Sequence, residues 1–322
     1  MFIGRQIDIG IGKETTRGTA VAPAFWTPKI DATVEDKIEL ATDETSVGII
    51  EDSIGAEVAK RWAEGEIVGN VRDRSFGLIL LSALGRVTSL ARTPLTPVAF
   101  DHTFEVAQSA THQSLTIGMR NPVQQLRFAL AVIDSLEIRF ELAKFVEFTA
   151  SFLSRIGTVA SDVVSYITEN QFLAHQIDIR TAPNLAGLGT ATPIKVKNVT
   201  LEIAKNPEAS DVLGNIEPDN YFNKQMEITG SFDLLYEDVT YKQLFLDGQS
   251  IAMRIDVTNP QVIETGVNPR MRIDLAKVKF PEWTREGGLN DIVSQTVNFK
   301  AYYSLADAQS IRVILTNTQV NY

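Results

Sequence analysis

The stretch FALAVIDSLEIRFELAKFVEFTASFLS, residues 128–154, alternates apolar and polar side chains along most of its length. A second stretch of this kind, MRIDLAKVKFPEWTREGGLNDIVSQTVNFKAYYS, occupies residues 271–304. Both contain the pattern Val-x-Phe-x-Ala, at Val146–Ala150 and Val297–Ala301. Alternation with a period of two is typical of strands that bury one face. The two stretches therefore predict long strands in each half of the chain.

Shorter matches precede these stretches in the same order in both halves. They are Gln-Ile-Asp-Ile (Gln6–Ile9, Gln176–Ile179), Gly-Thr-Ala (Gly18–Ala20, Gly189–Ala191), strand-like segments (Pro28–Ala41, Pro193–Ala204), Glu-Ile-x-Gly (Glu66–Gly69, Glu227–Gly230) and apolar segments that end in glycine (Ser75–Gly85, Val239–Gly248). A glycine just past an apolar segment favours a helix that ends there. Several matches in one order favour a tandem duplication.

The fold class that follows is mainly β (α+β), with two tandem β-sandwich domains and a flanking helix in each. We expect residues 1–156 to form the first domain, residues 157–169 to form a linker and residues 170–322 to form the second domain. The chain of 322 residues is long enough for two domains of ordinary size.

The segment Gly10-Ile11-Gly12-Lys13 resembles a phosphate-binding loop but lacks its required residues. A P-loop needs a glycine five positions before the Gly-Lys pair and a Ser or Thr directly after the lysine. Here these positions hold Ile7 and Glu14. A dinucleotide-binding loop needs a third glycine where Thr15 stands. We therefore expect a strand that runs into a Gly/Thr loop.

Composition excludes several classes of function. Hydrophobic residues make up 44% and charged residues 22%, which is typical of a folded chain. The net charge of −10 argues against sequence-reading contact with nucleic acid, which needs basic patches. The chain has no cysteine, so thiolate nucleophiles and cysteine-based metal sites are excluded. No apolar run approaches the roughly 20 residues of a membrane span, so we expect no membrane anchor.

No residue pattern points to catalysis. The three histidines, His102, His112 and His175, stand in no metal-ligand spacing. No serine lies in a Gly-x-Ser-x-Gly elbow. We therefore expect no catalytic, cofactor-binding or metal-binding residues, no cofactor, and no enzymatic activity.

The stretch ELATDETSVGIIEDSIGAE, residues 39–57, is long for a connection between strands, which usually has about 4–6 residues. Its apolar residues stand among carboxylates. One interpretation is a solvated loop. The other is an extended hairpin, near residues 39–60, that docks on a neighbouring subunit. The residues expected to make such contacts are Asp43, Glu44, Val47, Ile49, Ile50, Glu51, Asp52 and Ile54.

Tandem strand-rich domains also raise the problem of open sheet edges, which proteins must cap, charge or pair. If edges pair between copies and between chains, a ring can close. Three chains of two domains would then fill six quasi-equivalent positions as a homotrimer.

Four stretches carry a resemblance to a known family. GIGKETTRGTAVAPAFW, ELATDETSVGIIEDS, KRWAEGEIVGNVRDRSFGLIL and SLEIRFELAKFVEFTASFLS resemble the major tail protein, or tail tube protein, of long non-contractile-tailed bacteriophages of the siphovirus type. The resemblance implies a virion protein that is assembled in the host bacterial cytoplasm. Six domains would form a ring whose sheets join into a β-barrel around a lumen, and rings would stack through the long hairpin and the N-terminal arm, which holds Ile7 and Ile9.

The resemblance also implies partners. The stacked rings would enclose the tape measure protein during assembly and meet the tail terminator and the tail-tip or distal tail proteins at their ends. At infection the lumen would carry double-stranded DNA without specific contacts. A negative lumen would repel DNA phosphates. The candidate lumen-facing acids are Glu66, Glu137, Glu141 and Glu147, although a solvated outer face accounts for these glutamates equally well.

Two other functions stay open at this point. One is a secretion-type or contractile-tail inner tube, which has a similar fold but is usually single-domain. The other is a carbohydrate- or receptor-binding β-sandwich module of a tail tip. Such modules use exposed aromatic platforms, and the aromatic content of 8% disfavours this interpretation.

Overall fold

The computed structural model describes residues 2–92 and 98–322. The first half of the chain contains β1 (Asp8–Lys13), β2 (Phe25–Thr27), β3 (Asp31–Asp43), β4 (Gly55–Asn70), α1 (Phe76–Leu84), β5 (Gly85–Ala91), β6 (Phe100–Val106), β7 (Leu115–Arg120), β8 (Gln125–Phe140), β9 (Glu147–Ser154) and β10 (Gly157–Val159). The second half contains β11 (Ile177–Ala182), β12 (Val196–Ala204), β13 (Glu208–Ser210), β14 (Asn220–Phe222), β15 (Glu227–Leu235), α2 (Thr240–Asp247), β16 (Ile251–Thr258), β17 (Arg270–Glu286), β18 (Ser294–Tyr302) and β19 (Ile311–Asn317). The predicted mainly β class is confirmed.

Both helices lie where the apolar segments predict them. Each ends before a glycine in the left-handed region, Gly85 with φ 90° and Gly248 with φ 60°. A residue with a side chain is strained in this conformation, so glycine ends the helix at low cost. Every residue of α1 is buried, whereas in α2 Tyr241 is buried, Leu244 and Phe245 are half-buried against the core, and half of the residues are exposed.

The strands of the two halves pair in the same order. In the first half the order is β1–β7–β8–β9–β4–β3. In the second half it is β11–β16–β17–β18–β15–β12. The helices follow β4 and β15, which hold the same place in each order. A repeated connectivity is what a tandem duplication predicts.

The two repeated motifs contact each other in each half, and this explains their residues. Gly69 of β4 lies opposite Phe148 of β9, and Gly230 of β15 lies opposite Phe299 of β18. A Cβ atom on Gly230 would lie 2.4 Å from the Phe299 ring, and one on Gly69 would lie 3.1 Å from the Phe148 ring. The Glu-Ile-x-Gly and Val-x-Phe-x-Ala motifs are therefore one packing unit, in which the glycine makes room for the phenylalanine.

Two strands carry the chain from one layer of the sandwich to the other. The first part of β8 pairs with β7 and its last part pairs with β9, with a shift in register in each ladder. Between these parts Leu130 has a φ of 56°, which is unusual for a leucine. β17 changes partners in the same way, from β16 and β19 to β18.

The halves are joined through their sheets. β12 pairs with β8, so one sheet runs in the order β3–β4–β9–β8–β12–β15–β18–β17. On the other layer β19 pairs with β6, which belongs to the hairpin inserted after α1. The main hydrophobic core passes through both halves, and two smaller clusters lie beside it.

The expected linker at residues 157–169 is bound to the first half along its length. β10 pairs with β8, Asp162 forms an ion pair with Arg127, and the Tyr166 hydroxyl donates to Asp8 at 2.6 Å. The domain limits at residues 156 and 170 stay predictions, because the sheet and the core continue across them.

Candidate functional site

The glycines of the Gly-Ile-Gly-Lys segment serve packing. Gly10 and Gly118 are partners across the β1–β7 ladder, and Pro23 lies over both of them. A Cβ atom on either glycine would lie 2.6 Å from the Pro23 ring. Lys13 is exposed and donates to the carbonyl oxygen of Tyr322 at 2.8 Å. This geometry suits the close passage of residues 21–27 over β1.

Glu14 is a buried carboxylate at the centre of this region, with 2% of its surface exposed. It accepts hydrogen bonds from Ser114 Oγ at 2.6 Å, Thr116 Oγ1 at 3.1 Å and the backbone N–H groups of Gly18 and Leu130, each at 2.7 Å. The bond to Leu130 holds the residue at which β8 changes layer. Glu14 therefore ties the opening loop to the corner of the sandwich.

The buried histidines are structural. His102 Nε2 donates to the Gln319 carbonyl at 2.8 Å, and its Nδ1 lies 2.7 Å from Ser89 Oγ. His112 faces the carbonyl oxygens of Ala83 and Ala107. Burial lowers the pKa of both rings. Within residues 2–92 and 98–322 there is no cluster of His, Asp or Glu side chains that could hold a metal ion.

We expect the stability of the folded chain to fall with pH below the ordinary histidine pKa of 6.5. In the unfolded chain His102 takes up a proton there, whereas the folded environment keeps the ring neutral, so acid favours unfolding. Replacing His102 with Gln should reduce this loss of unfolding free energy between about pH 7.5 and about pH 5, as measured by denaturant unfolding. The exposed His175→Gln variant is the control, and equal pH slopes for both variants would contradict the assignment.

The long sheet has one polar face. Along β4, β9, β8, β12, β15 and β18 most of the side chains that alternate with the buried ones are hydroxyl, amide or charged groups, and Val68, Leu153, Ala204 and Leu235 are apolar exceptions. On these six strands the acids of this face are Glu64, Glu66, Glu137, Glu147, Glu202, Glu227 and Asp233, and the bases are Arg139 and Lys300. β17 adds Lys277, Lys279, Glu282 and Glu286 to the same face. Neighbours in register include Glu66 with Ser151 and Glu137 with both Thr149 and Glu202. The face is therefore continuous, hydrated and acidic.

Three of the four candidate lumen acids share this face, and the fourth does not. Glu66 is exposed, and Glu137 and Glu147 are half-buried on adjacent strands. Arg139 forms ion-paired hydrogen bonds with Glu137 and lies opposite Glu147. Glu141 lies in the turn after β8, because the strand ends at Phe140, and it pairs with Lys144 at 2.5 Å.

The stretch at residues 39–57 forms a projecting hairpin. β3 and β4 pair from Asp31↔Val68 to Asp43↔Gly55, but β9 covers β4 only from Ala63 onward. Before Ala63 each of the two strands has the other as its partner strand within the described residues, and near the base the Arg61 N–H also donates to the Ile216 carbonyl. Exposed apolar side chains lie along this projection and its turn, namely Ile38, Leu40, Val47, Ile49, Ile50, Ile54 and Val58.

The acids of this hairpin face water. Asp43, Glu44, Glu51 and Asp52 are all exposed, and Asp43 accepts from the Thr45 backbone at 3.0 Å. An isolated two-stranded hairpin is marginally stable in water, and a cluster of exposed apolar residues marks an interaction surface. This geometry favours docking of the hairpin over a loop that is only solvated.

The two candidate contact residues of the N-terminal arm, Ile7 and Ile9, differ in the exposure of their side chains. Ile7 is half-buried, next to the first residue of β1. Ile9 has no exposed surface, because β1 is enclosed between β2 and β7 and packs into the core. The side chain of Ile9 is therefore not available at the surface of this chain.

The second half has a different structure where the first half has the hairpin. Residues 205–226, between β12 and β15, fold back onto the first half of the same chain. Lys60 pairs with Asp211 and Arg61 with Glu217. Arg155 donates to the carbonyl oxygens of Pro218 and Asp219. Arg17 donates to Asn220 Oδ1 at 2.6 Å and to the Tyr221 carbonyl at 2.8 Å.

Sequence reasoning did not identify these four basic residues, since none stands in a motif. The loop that they hold corresponds to the hairpin by its place between paired strands, but it folds back onto the chain, whereas the hairpin projects. The four residues hold this loop of the second half against the first half of the same chain.

The long sheet ends in two open edges. Among the described residues β3 pairs only with β4. On β17 the edge that β16 occupies up to Val278 has no partner strand from Lys279 to Glu286 within the described chain. The corresponding edge of β8 is the one that β12 covers. By their places in the two sheet orders, β3 corresponds to β12 and β17 corresponds to β8. Within the described chain, β3 and the end of β17 therefore have the open edges that β12 and β8 use to join the halves.

A cleft of about 510 Å³ lies at the end of the sheet from which the hairpin projects. Its lining includes Lys205, Met226 and Tyr303. Lys205 is fully buried and donates from Nζ to the carbonyl oxygen of Ser82, near the end of α1, at 2.7 Å. Burial lowers the pKa of Lys205 to about 7, with a further contribution from Arg17.

None of the helices in the described ranges is long and apolar enough to cross a membrane. A family model described as phage tail tube protein matches residues 4–301. A search of curated proteins found no match.

Proposed function

The chain belongs to the phage tail tube protein family and is a structural component of the virion, and from this premise we propose that it assembles into stacked rings that carry double-stranded DNA into the host cell. The observation that carries the proposal is the pair of open edges on the long sheet. In this proposal β3 of one chain pairs with the Lys279–Glu286 edge of β17 in the next chain, as β12 pairs with β8 within one chain. A head-to-tail contact of this kind closes a ring when the rotation permits.

Three chains per ring is the stoichiometry that the repeated connectivity favours. Each chain supplies two copies of the same sheet order, so three chains give six similar positions. Edge strands that would otherwise promote aggregation are then covered. At each boundary between chains, the β3–β17 contact repeats the pairing that β12 makes with β8 within one chain.

The polar face of the long sheet becomes the wall of the lumen in this arrangement. Acids outnumber bases on it, and Glu66, Glu137 and Glu147 are part of it. Negative charge repels DNA phosphates, and hydroxyl side chains carry no positive charge that would bind them, so the genome can slide through the lumen without sticking.

We extend the proposal to the partners of the tube. The tape measure protein occupies the lumen during assembly, the tail terminator and tail-tip proteins bind at the ends, and assembly takes place in the host cytoplasm.

Cysteine cross-linking tests the ring, because the chain has no native cysteine. We expect a scan that combines one cysteine within residues 30–33 with one within residues 279–282 to find a pair that oxidises into covalent trimers. Non-reducing electrophoresis and three-fold averages in electron microscopy measure the outcome. Each single cysteine is a control that cannot form a species larger than a dimer.

Two results would contradict this arrangement. One is a covalent series that continues past three chains, which would exclude a closed trimer. The other is the absence of any cross-linked pair in particles whose images show regular tubes, which would mean that other strands close the ring.

A further inference from the structure

The turn between β17 and β18 projects from the sheet end opposite the hairpin. β18 begins at Ser294, beside this turn, and ends at Tyr302, beside the cleft. Nine strand residues span about 30 Å, so the turn and the cleft lie at opposite ends of the molecule. Strand direction alternates across the sheet from β4 through β9, β8, β12 and β15 to β18. β4 therefore begins at the end of the sheet where β18 finishes, and the β3–β4 hairpin projects at the cleft end.

The tip of this turn, residues 286–294, exposes apolar side chains at the end of a supported stalk. Leu289 and Ile292 are exposed, at 107% and 77%, and Val293 at 40%. The tip also carries Glu286 and Asp291 and no basic residue. The corresponding turn of the first half, residues 141–146, is shorter.

A layered stack of side chains supports the stalk. Lys242 of α2 lies 5.6 Å from the Trp283 ring, Trp283 lies 5.8 Å from Tyr236, and Arg285 lies 5.7 Å from Tyr236 on the same stack. Trp283 Nε1 donates to Gln295 Oε1 at 2.8 Å, across the two strands. Cation–π and aromatic contacts of this kind hold the hairpin in one orientation.

The cleft has properties complementary to those of the tip. Val106, Met226, Ile228 and Ala301 supply apolar lining, and Tyr303 stands at its rim, 47% exposed. Polar groups such as Gln108 and Asn223 line the rest of the cleft, together with His112, Lys205 and Lys224, and none of the described lining residues is acidic. Lys224 forms an ion pair with Glu208, and Lys205 donates to the Ser82 carbonyl. The exposed apolar side chains of the tip suit the apolar part of this lining, and the carboxylates of the tip meet no acidic lining residue there.

We propose that the β17–β18 tip of a chain in one ring inserts into this cleft on a second copy of the chain in the adjacent ring. The inference rests on the proposed tube. In a head-to-tail stack each ring presents the tip end of its sheets to the cleft end of the next, so a projection at one end needs a recess at the other. The contact is separate from that of the β3–β4 hairpin, which projects in the opposite direction.

A cysteine pair tests this contact directly. Leu289→Cys together with Tyr303→Cys should, after oxidation of assembled tubes, give a ladder of covalent chains longer than a ring can hold. The control pair is Val163→Cys with Tyr303→Cys. Val163 is exposed but lies in the 157–169 segment rather than in the tip, so this pair should give no ladder. Tubes that form normally but give no ladder with Leu289→Cys would overturn the docking.

A second variant guards against poor cross-linking geometry. Leu289→Asp combined with Ile292→Asp should reduce tube yield at least tenfold in sedimentation assays while closed rings still form, and Val163→Asp should leave the yield unchanged. Normal tubes from the double variant would also overturn the docking.

If the wild-type chain forms rings but never stacks, the proposed tube fails and this contact fails with it. If the wild-type chain stacks and only this contact is absent, the tube stands.

Discussion

Deletion of residues 41–53 should abolish polymerisation and leave the stability of the rest of the chain nearly unchanged. The deleted part includes the hairpin turn with Val47, Ile49 and Ile50, all exposed. Within the described chain the deleted residues have no partner strand outside the hairpin, so the deletion removes no strand pairing with the core. Exposed apolar residues contribute little to folding but much to an interface that buries them.

The expected loss is large because the interface is repeated in every subunit of every ring. Sedimentation of tubes and negative-stain images measure it, and denaturant unfolding of the soluble chain measures stability. A point variant gives a finer result. Ile49→Asp with Ile50→Asp should reduce tube yield strongly, whereas Glu44→Gln, on the same turn, should change it little. Tubes at normal yield from the deletion variant would exclude the hairpin from stacking.

The alternating pattern of residues 128–154 and 271–304 is sufficient to predict the strands, because the period of two is local. The repeated motifs indicate a duplication, but the packing of their glycines against their phenylalanines appears only with the strand register, because the two motifs lie far apart in the chain. The layer change in β8 is not visible in the sequence. It depends on Leu130 in a left-handed conformation, which a leucine adopts only when the surrounding structure holds it.

The same limit applies to the candidate surfaces. Alternation indicates that Glu66 and Glu137 lie on one face of their strands, but only the cross-strand register places them on the same face of one sheet. Glu141 lies outside the strand, because β8 ends at Phe140 although the alternation of the sequence continues past that residue. The alternation of Ile7, Ile9 and Ile11 indicates one buried face of the strand, but the sequence does not show that β2 and β7 of the same chain cover Ile9, because β2 and β7 lie far apart in the chain. The free edge of β17 is defined by the partner that it lacks, and no single residue marks it.

Glu14 supplies the largest expected effect on folding. Its carboxylate accepts four hydrogen bonds, two from hydroxyl groups and two from backbone N–H groups, while it is almost fully buried. Replacement with Ala leaves these donors without an acceptor in a dry site. Each unsatisfied buried group costs about 1–3 kcal/mol, so the total loss of unfolding free energy should be roughly 3–5 kcal/mol after partial relaxation.

The effect extends beyond stability, because Leu130 is one of the donors. Without the carboxylate, the corner at which β8 leaves β7 for β9 loses its fixed point, and the strand that β12 joins becomes less ordered. Denaturant unfolding followed by the fluorescence of Trp26, which packs over Gly10 in the same region, measures the loss. Glu14→Gln keeps the shape but turns one acceptor into a donor, so it should be destabilised nearly as much. The exposed Glu51→Ala control should stay within about 0.5 kcal/mol of the wild-type chain. A Glu14→Ala variant as stable as the control would show that water or the neighbouring hydroxyl groups satisfy the same donors, and that the carboxylate does not hold the corner.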